Sequence, residues 1–158
     1  MRLVCAWLAL APTNVRWQAA GMQYWLMKSE PNKYSWTDLV SDKRTVWDGI
    51  RNHQVAIWLR QMQKGDQVLF YHSNEGLEAV GIMEVVGLAH PDATDPTGKF
   101  VAVDVEPVRA LKEPVTLAAM KAEPKLADLP LFRQFRLSVV PLTKDHWATL
   151  MKMAGEQA

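Results

Sequence analysis

Apolar residues along this chain fall into short, partly alternating runs broken by turn residues, with a few stretches at helical spacing between them. Gln23 to Lys28 is a brief aromatic-rich run that reads as a strand, ended by Pro31, which cannot donate to a ladder. Ser35, with Asp38 three residues on, has the form of a capping box and predicts a short helix to about Asp42. Thr45 to Trp47 reads as a short strand before the Asp48-Gly49 turn. Val55, Trp58, Leu59 and Met62 stand at i, i+3, i+4 and i+7, one face of an amphipathic helix, with Gly65 as its C-terminal stop. Strands are predicted at Gln67 to His72 and Ala79 to Leu88, joined by a Ser73-to-Gly76 turn. His90 to Gly98, with two prolines, two aspartates and a glycine, reads as a loop. In Phe100 to Glu106 valines alternate with other residues, as on a half-buried strand. Thr116 is placed to cap a helix that Pro124 closes. Arg136 to Leu142 is a last strand, and Thr143 opens a helix in which Trp147, Leu150, Met151 and Ala154 share a face.

Strands in this order do not alternate strictly with long helices, which argues against a doubly wound parallel sheet. The pattern predicts an α+β domain, a small and mostly antiparallel β-barrel flanked by short helices. At 158 residues the chain suits one domain, placed at residues 22–158. Residues 1–21 read differently. An apolar run from Leu3 to Ala11 follows Arg2, and small residues at Ala19 to Gly21 give the stretch a loose likeness to a secretory signal. The other readings are a disordered surface extension, or a start placed too far upstream with Met22 as the initiator. No stretch reaches the roughly 18 apolar residues of a membrane span.

Charge narrows the function. Lys and Arg number 18 against 17 Asp and Glu, and Arg2 and Arg16 belong to the first segment, so the remainder carries a net charge of −1. Such a body does not coat nucleic acid through phosphates alone, though it leaves room for a local basic patch or a neutral pocket. The one cysteine, Cys5, allows neither an internal disulfide nor a cysteine zinc site, which fits a cytoplasmic protein. There is no glycine-rich phosphate loop, no H-E-x-x-H and no G-x-S-x-G, and the four histidines lack metal spacing. No cofactor or metal is called for.

Several segments stand out without being decisive singly. Lys28-Ser29-Glu30-Pro31 is a polar strand end or a site rim. Trp47-Asp48-Gly49-Ile50-Arg51-Asn52 sets a Trp at a strand-to-helix turn, either a core residue or a pocket wall. Tyr71-His72-Ser73-Asn74 is an ordinary turn or a polar cluster, and Arg136-Leu137-Ser138 a surface strand start or an anion contact. Trp25, Trp58 and Trp147 follow strand or helix-face patterns and read as core.

Taken in order, these segments, with Gly65-Asp66, His90-Pro91-Asp92, Val103-Asp104-Val105 and Pro114 to Leu117, resemble the EVE domain family over about Met22 to Met153. The resemblance implies a PUA-like fold. It departs at His53 and His90, where the family usually has Tyr, and at Phe100, near a usual Trp, which implies a smaller pocket. EVE domains are similar in turn to the YTH and SRA readers of methylated bases. The resemblance therefore implies a non-enzymatic module that holds one modified base, of DNA more than RNA, in an aromatic pocket. Trp47 would be a partly exposed cage wall, Ser29 and Asn52 would read the base edge, and Arg51 and Arg136 would meet phosphates. Lys28, Asp48, Gly49, Tyr71, His72, Ser73, Phe100 and Ser138 complete the implied site. Expected partners are modified DNA or RNA, with restriction or RNA-modification proteins as companions, and the chain is expected to be monomeric and not bound to a membrane. The alternatives are an ASCH-like hydrolase of modified nucleosides using Lys28 and Glu30, or a scaffold with a vestigial pocket.

Overall fold

The computed structural model describes residues 22–134 and 136–156, so the readings of residues 1–21 lie outside it. Among the described residues six strands and five α-helices follow one another: β1 (Tyr24–Ser29), α1 (Trp36–Asp42), β2 (Thr45–Trp47), α2 (His53–Gln61), β3 (Gln67–His72), β4 (Glu78–Pro91), β5 (Val101–Thr116), α3 (Leu117–Ala122), α4 (Pro130–Arg133), β6 (Val139–Leu142) and α5 (Lys144–Met153). A single 3₁₀ turn, Pro124–Leu126, separates α3 from α4. The α+β class predicted from the pattern is the one observed. Local signals act as expected at three helix starts. The Ser35 and Asp38 capping box opens α1, and the Thr116 and Thr143 hydroxyls accept from Ala119 N and His146 N to open α3 and α5.

The strands form one sheet in the order β2-β5-β4-β3-β1-β6. β1 and β3 run parallel, because α1, β2 and α2 fill the long crossover between them. The other four pairings are antiparallel. β2 and β6 do not pair, so the hydrogen-bonded barrel predicted from sequence is not closed. The sheet nonetheless curls. Residues from β2 at one end of the strand order and from β1 and the approach to β6 at the other line a single pocket.

Bulges produce the curl and explain the strand lengths. Between Ala79 and Gly81, β4 advances two residues while β5 passes from Val115 to Ala110. The surplus in β5 absorbs Pro114, and a second shift brings Pro107 opposite Met83. The strand that reads as ending at Glu106 therefore runs on past both prolines, which sit at irregularities inside it, and β4 extends through His90 into the stretch that reads as loop. Gly65 is not the stop of α2. The helix ends at Gln61 with Met62 already extended, and Gly65, at φ +95°, shapes the turn into β3.

Trp25, Leu26 and Met27 in β1 and Val68 to Tyr71 in β3 are buried without alternation, so both faces of the sheet centre are covered. Trp25 and Trp147 are core, as their spacing predicts, but Trp58 is only half-buried. Ala56 takes the inner position beside Val55 and Leu59, turning the buried face of α2 away from Trp58. Phe70 of β3 lies between two indoles, edge-on to Trp36 at 5.5 Å and to Trp47 at 5.6 Å. Gly81 permits this arrangement, since a Cβ there would meet the Trp36 ring at 2.5 Å.

Candidate binding pocket

The gap between the sheet edges holds a cavity of about 500 Å³. β1 and its end supply Lys28, Ser29 and Glu30, and the turn before α1 supplies Lys33 and Tyr34. The opposite side is β2, Thr45 to Trp47, with the loop Asp48 to Asn52, and Arg136 and Ser138 close the remaining wall. Nine of the thirteen site residues named from sequence are thus brought together: Lys28, Ser29, Trp47, Asp48, Gly49, Arg51, Asn52, Arg136 and Ser138.

The other four are placed elsewhere. Tyr71 is 2% exposed, and burial pushes its phenol up to about 12. His72 Nε2 accepts from Trp36 N at 3.1 Å, so the ring holds the start of α1. Ser73 donates its backbone N–H to the Ser29 carbonyl at 2.9 Å, buttressing the rim from behind. Phe100 lies beneath the loop rather than in the pocket, so it does not set the pocket's size. The Arg51 guanidinium lies over its ring at 5.5 Å, with the His53 ring 5.0 Å away.

Trp47 is both wall and core. It lines the pocket, yet it is 8% exposed and rests on Phe70. The second aromatic residue in the lining, Tyr34, is one that the sequence reading did not name. Its hydroxyl donates to Asp42 at 2.9 Å, and its carbonyl accepts from Ser29 Oγ at 2.6 Å. The available signal was an aromatic residue directly before the capping Ser35, just past the Lys-Ser-Glu-Pro rim.

Loop 48–52 is held from below by a buried acid. Gly49, at φ +79°, donates its N–H to Asp92 Oδ2 at 2.8 Å, and Arg51 Nη1 donates to the same oxygen at 3.0 Å. Thr94 donates to Oδ1 through its N–H at 2.7 Å and its hydroxyl at 2.5 Å. Burial alone would raise the Asp92 carboxyl, but the Thr94, Gly49 and Arg51 donors outweigh it and hold the group well below the usual range. Arg51 Nη2 also donates to Thr94 Oγ1 at 2.9 Å. Arg51 is therefore spent on the loop itself, and Asp92 is the positioning residue that the sequence did not disclose.

The polar lining divides in the same way. Ser29 Oγ–H donates to the Tyr34 carbonyl, and Asn52 Oδ1 accepts from Val55 N at 3.0 Å as the cap of α2, which leaves its amide donors for the pocket. Glu30 accepts from Lys33 at 2.8 Å and from Asn74 at 2.6 Å. Burial lowers the Lys28 ammonium, easing its deprotonation. Among the described residues no group of three or more His, Cys, Asp or Glu could hold a metal ion, and no helix is long and apolar enough to cross a membrane.

Comparison with known proteins supplies the family. The EVE domain family model matches residues 23–153. Human thymocyte nuclear protein 1 is 34% identical over 168 residues, covering 85% of this chain and 75% of that one. Among solved structures, Rpa0253 from Rhodopseudomonas palustris superposes with TM-score 0.81 at 48% identity, over 85% of this chain and 94% of its own. Human THYN1 protein in complex with 5-methylcytosine-containing DNA superposes with TM-score 0.79 at 32% identity, over 86% of this chain and 99% of its own.

Proposed function

This chain belongs to the EVE domain family, and from that premise we propose that it is a non-enzymatic module that binds a modified cytosine of DNA in the pocket between β1 and β2. The observation that carries the reading is the pocket itself. Its volume of about 500 Å³ suits one small molecule. Two aromatic residues line the cleft, Trp47 from β2 and Tyr34 from the turn before α1, with Lys28, Asp48 and the Asn52 amide as polar groups. The human relative's complex with 5-methylcytosine-containing DNA supports the same ligand class.

The energetics suit a modest reader. A base drawn from its stack regains about 1–3 kcal/mol against an aromatic ring, while extrusion costs a few kcal/mol. A buried methyl adds about 0.8 kcal/mol, roughly a fourfold preference. Fluorescence anisotropy with matched oligonucleotides carrying one 5-methylcytosine or one cytosine tests this. The expected result is a several-fold preference for the methylated strand, and equal affinities would overturn the proposal. The hydrolase alternative draws little from the site, because Glu30 is engaged by Lys33 and Asn74. Turnover of a modified nucleoside by the purified protein would reinstate it.

A further inference from the structure

We propose that the cavity beside the base pocket receives the phosphodiester of the nucleotide next to the bound base, held by Arg133 and Arg136. The inference rests on the modified-base reading above. The second cavity, of about 430 Å³, is lined by Gln54, Arg133, Gln134, Arg136 and Leu137. Arg136 also lines the base pocket, so one residue borders both spaces.

Six arginines are described, and their engagements separate them. Arg44 pairs with Asp104 and Arg109 with Glu156. Arg51 is held by Asp92 and Thr94, and Arg60 donates to the Lys99 carbonyl. Arg133 and Arg136 alone have no hydrogen-bond or ion-pair partner among the described residues, and both line this cavity. Among the described residues no carboxylate lines it. Arg133 acts on the Asp128 carboxylate through its charge, and that carboxylate is bonded to His146 Nε2 at 2.7 Å and lowered mainly by that bond. Two arginines with no side-chain partner among the described residues thus border this recess beside Gln54 and Gln134, and a guanidinium is the side chain best matched to a phosphate.

The ligand's geometry favours this source. A base turned into a pocket leaves its own strand at the pocket mouth, where phosphates follow one another at about 3.4 Å of axis per nucleotide. Arg136 stands at that passage. With the rest of the chain near neutrality, a concentrated contact of this kind is how the backbone would be gripped without a general affinity for duplex DNA.

The test compares the full-length protein with Arg133→Gln and Arg136→Gln across a salt series, using an oligonucleotide with one 5-methylcytosine, and separately with the nucleoside 5-methyl-2′-deoxycytidine. Arg133→Gln is expected to weaken oligonucleotide binding about three- to tenfold and to make the logarithmic salt slope shallower by about one. It should leave nucleoside affinity and the preference for the methylated strand unchanged. Arg136→Gln is expected to weaken both ligands, since it borders both spaces. An Arg133→Gln protein with parental affinity and slope but an intact methyl preference overturns the phosphate site and leaves the base pocket standing. Equal loss of nucleoside binding in Arg133→Gln also overturns it, by making the recess part of the base pocket. A parent protein with no methyl preference overturns the base reading, and this inference with it.

Discussion

Replacing Trp47 with alanine tests whether a pocket wall here is also a structural member. The sequence leaves a core residue and a pocket wall both open, and the family resemblance implies a partly exposed indole whose loss the fold would survive. At 8% exposure, and edge-on to Phe70 at 5.6 Å, the ring is instead built into the core. Truncating a buried Trp costs about 3–5 kcal/mol, from lost transfer energy and the cavity left behind. For a chain of this size each kcal/mol moves the melting temperature by about 2–4 °C, so a fall of roughly 6–20 °C is expected. Binding to a 5-methylcytosine oligonucleotide, measured well below both transitions, should weaken about five- to a hundredfold through lost stacking of about 1–3 kcal/mol. Trp47→Phe, which keeps a ring face on Phe70, should melt and bind between the two. The assays are calorimetry for stability and anisotropy for affinity. An alanine variant that melts within about 2 °C of the parent would refute the embedding, since that shift is worth no more than about 1 kcal/mol. One that melts low but, while folded, binds as the parent does would refute the stacking role.

Two further outcomes follow from groups around the site. Asp92→Asn should destabilise the protein by about 1–3 kcal/mol, because Gly49, Arg51 and Thr94 then share a buried neutral acceptor with donors of its own; it should also shift the Gly49 amide resonance and weaken oligonucleotide binding, and an unmoved Gly49 resonance would show that Asp92 does not position the loop. In an NMR titration His72 should titrate below 6.5, because burial lowers it despite Glu78, and His90 above 6.5, because its bond to Asp104 raises it. The signs for stability are opposite: the His90 contribution is complete below 6.5 and is lost as pH rises through its raised folded value, whereas His72 favours the fold above 6.5 and costs stability as pH falls toward its depressed value. The reverse order of the two titrations would refute both assignments.

What the sequence disclosed and what it withheld divide along a physical line. Helix starts depend on a few neighbouring residues, so Ser35, Thr116 and Thr143 were readable as caps without knowledge of the rest of the fold. Strand limits depend on a partner's register. The strand that reads as ending at Glu106 runs on through Pro107 and Pro114, carried at bulges against β4 that depend on pairing with a distant strand rather than on the residues near them. The burial of Trp58 failed for a related reason: helical spacing fixes which residues share a face, not which face turns inward, and Ala56 allowed α2 to turn otherwise.

The pocket obeys the same division, and this explains why its lining was legible while its support was not. Most lining residues come from contiguous segments that end a strand or start a helix, such as Lys28-Ser29 and Trp47 to Asn52, where polar residues and a glycine interrupt an apolar pattern. A site assembled from such interruptions leaves a local mark. Its support leaves none: Asp92 is more than forty positions from Gly49 in the chain, in a stretch whose aspartates and prolines look like ordinary loop composition. Only the closure of β4 on β5 brings that carboxylate under the pocket loop and commits Arg51 to it. The distinction between Arg51 and Arg136 is therefore a property of the folded chain. By sequence both are arginines beside a polar turn. By structure one is held by a buried acid and the other has no side-chain partner among the described residues and borders two cavities, so the two must be weighed differently when DNA contacts are sought.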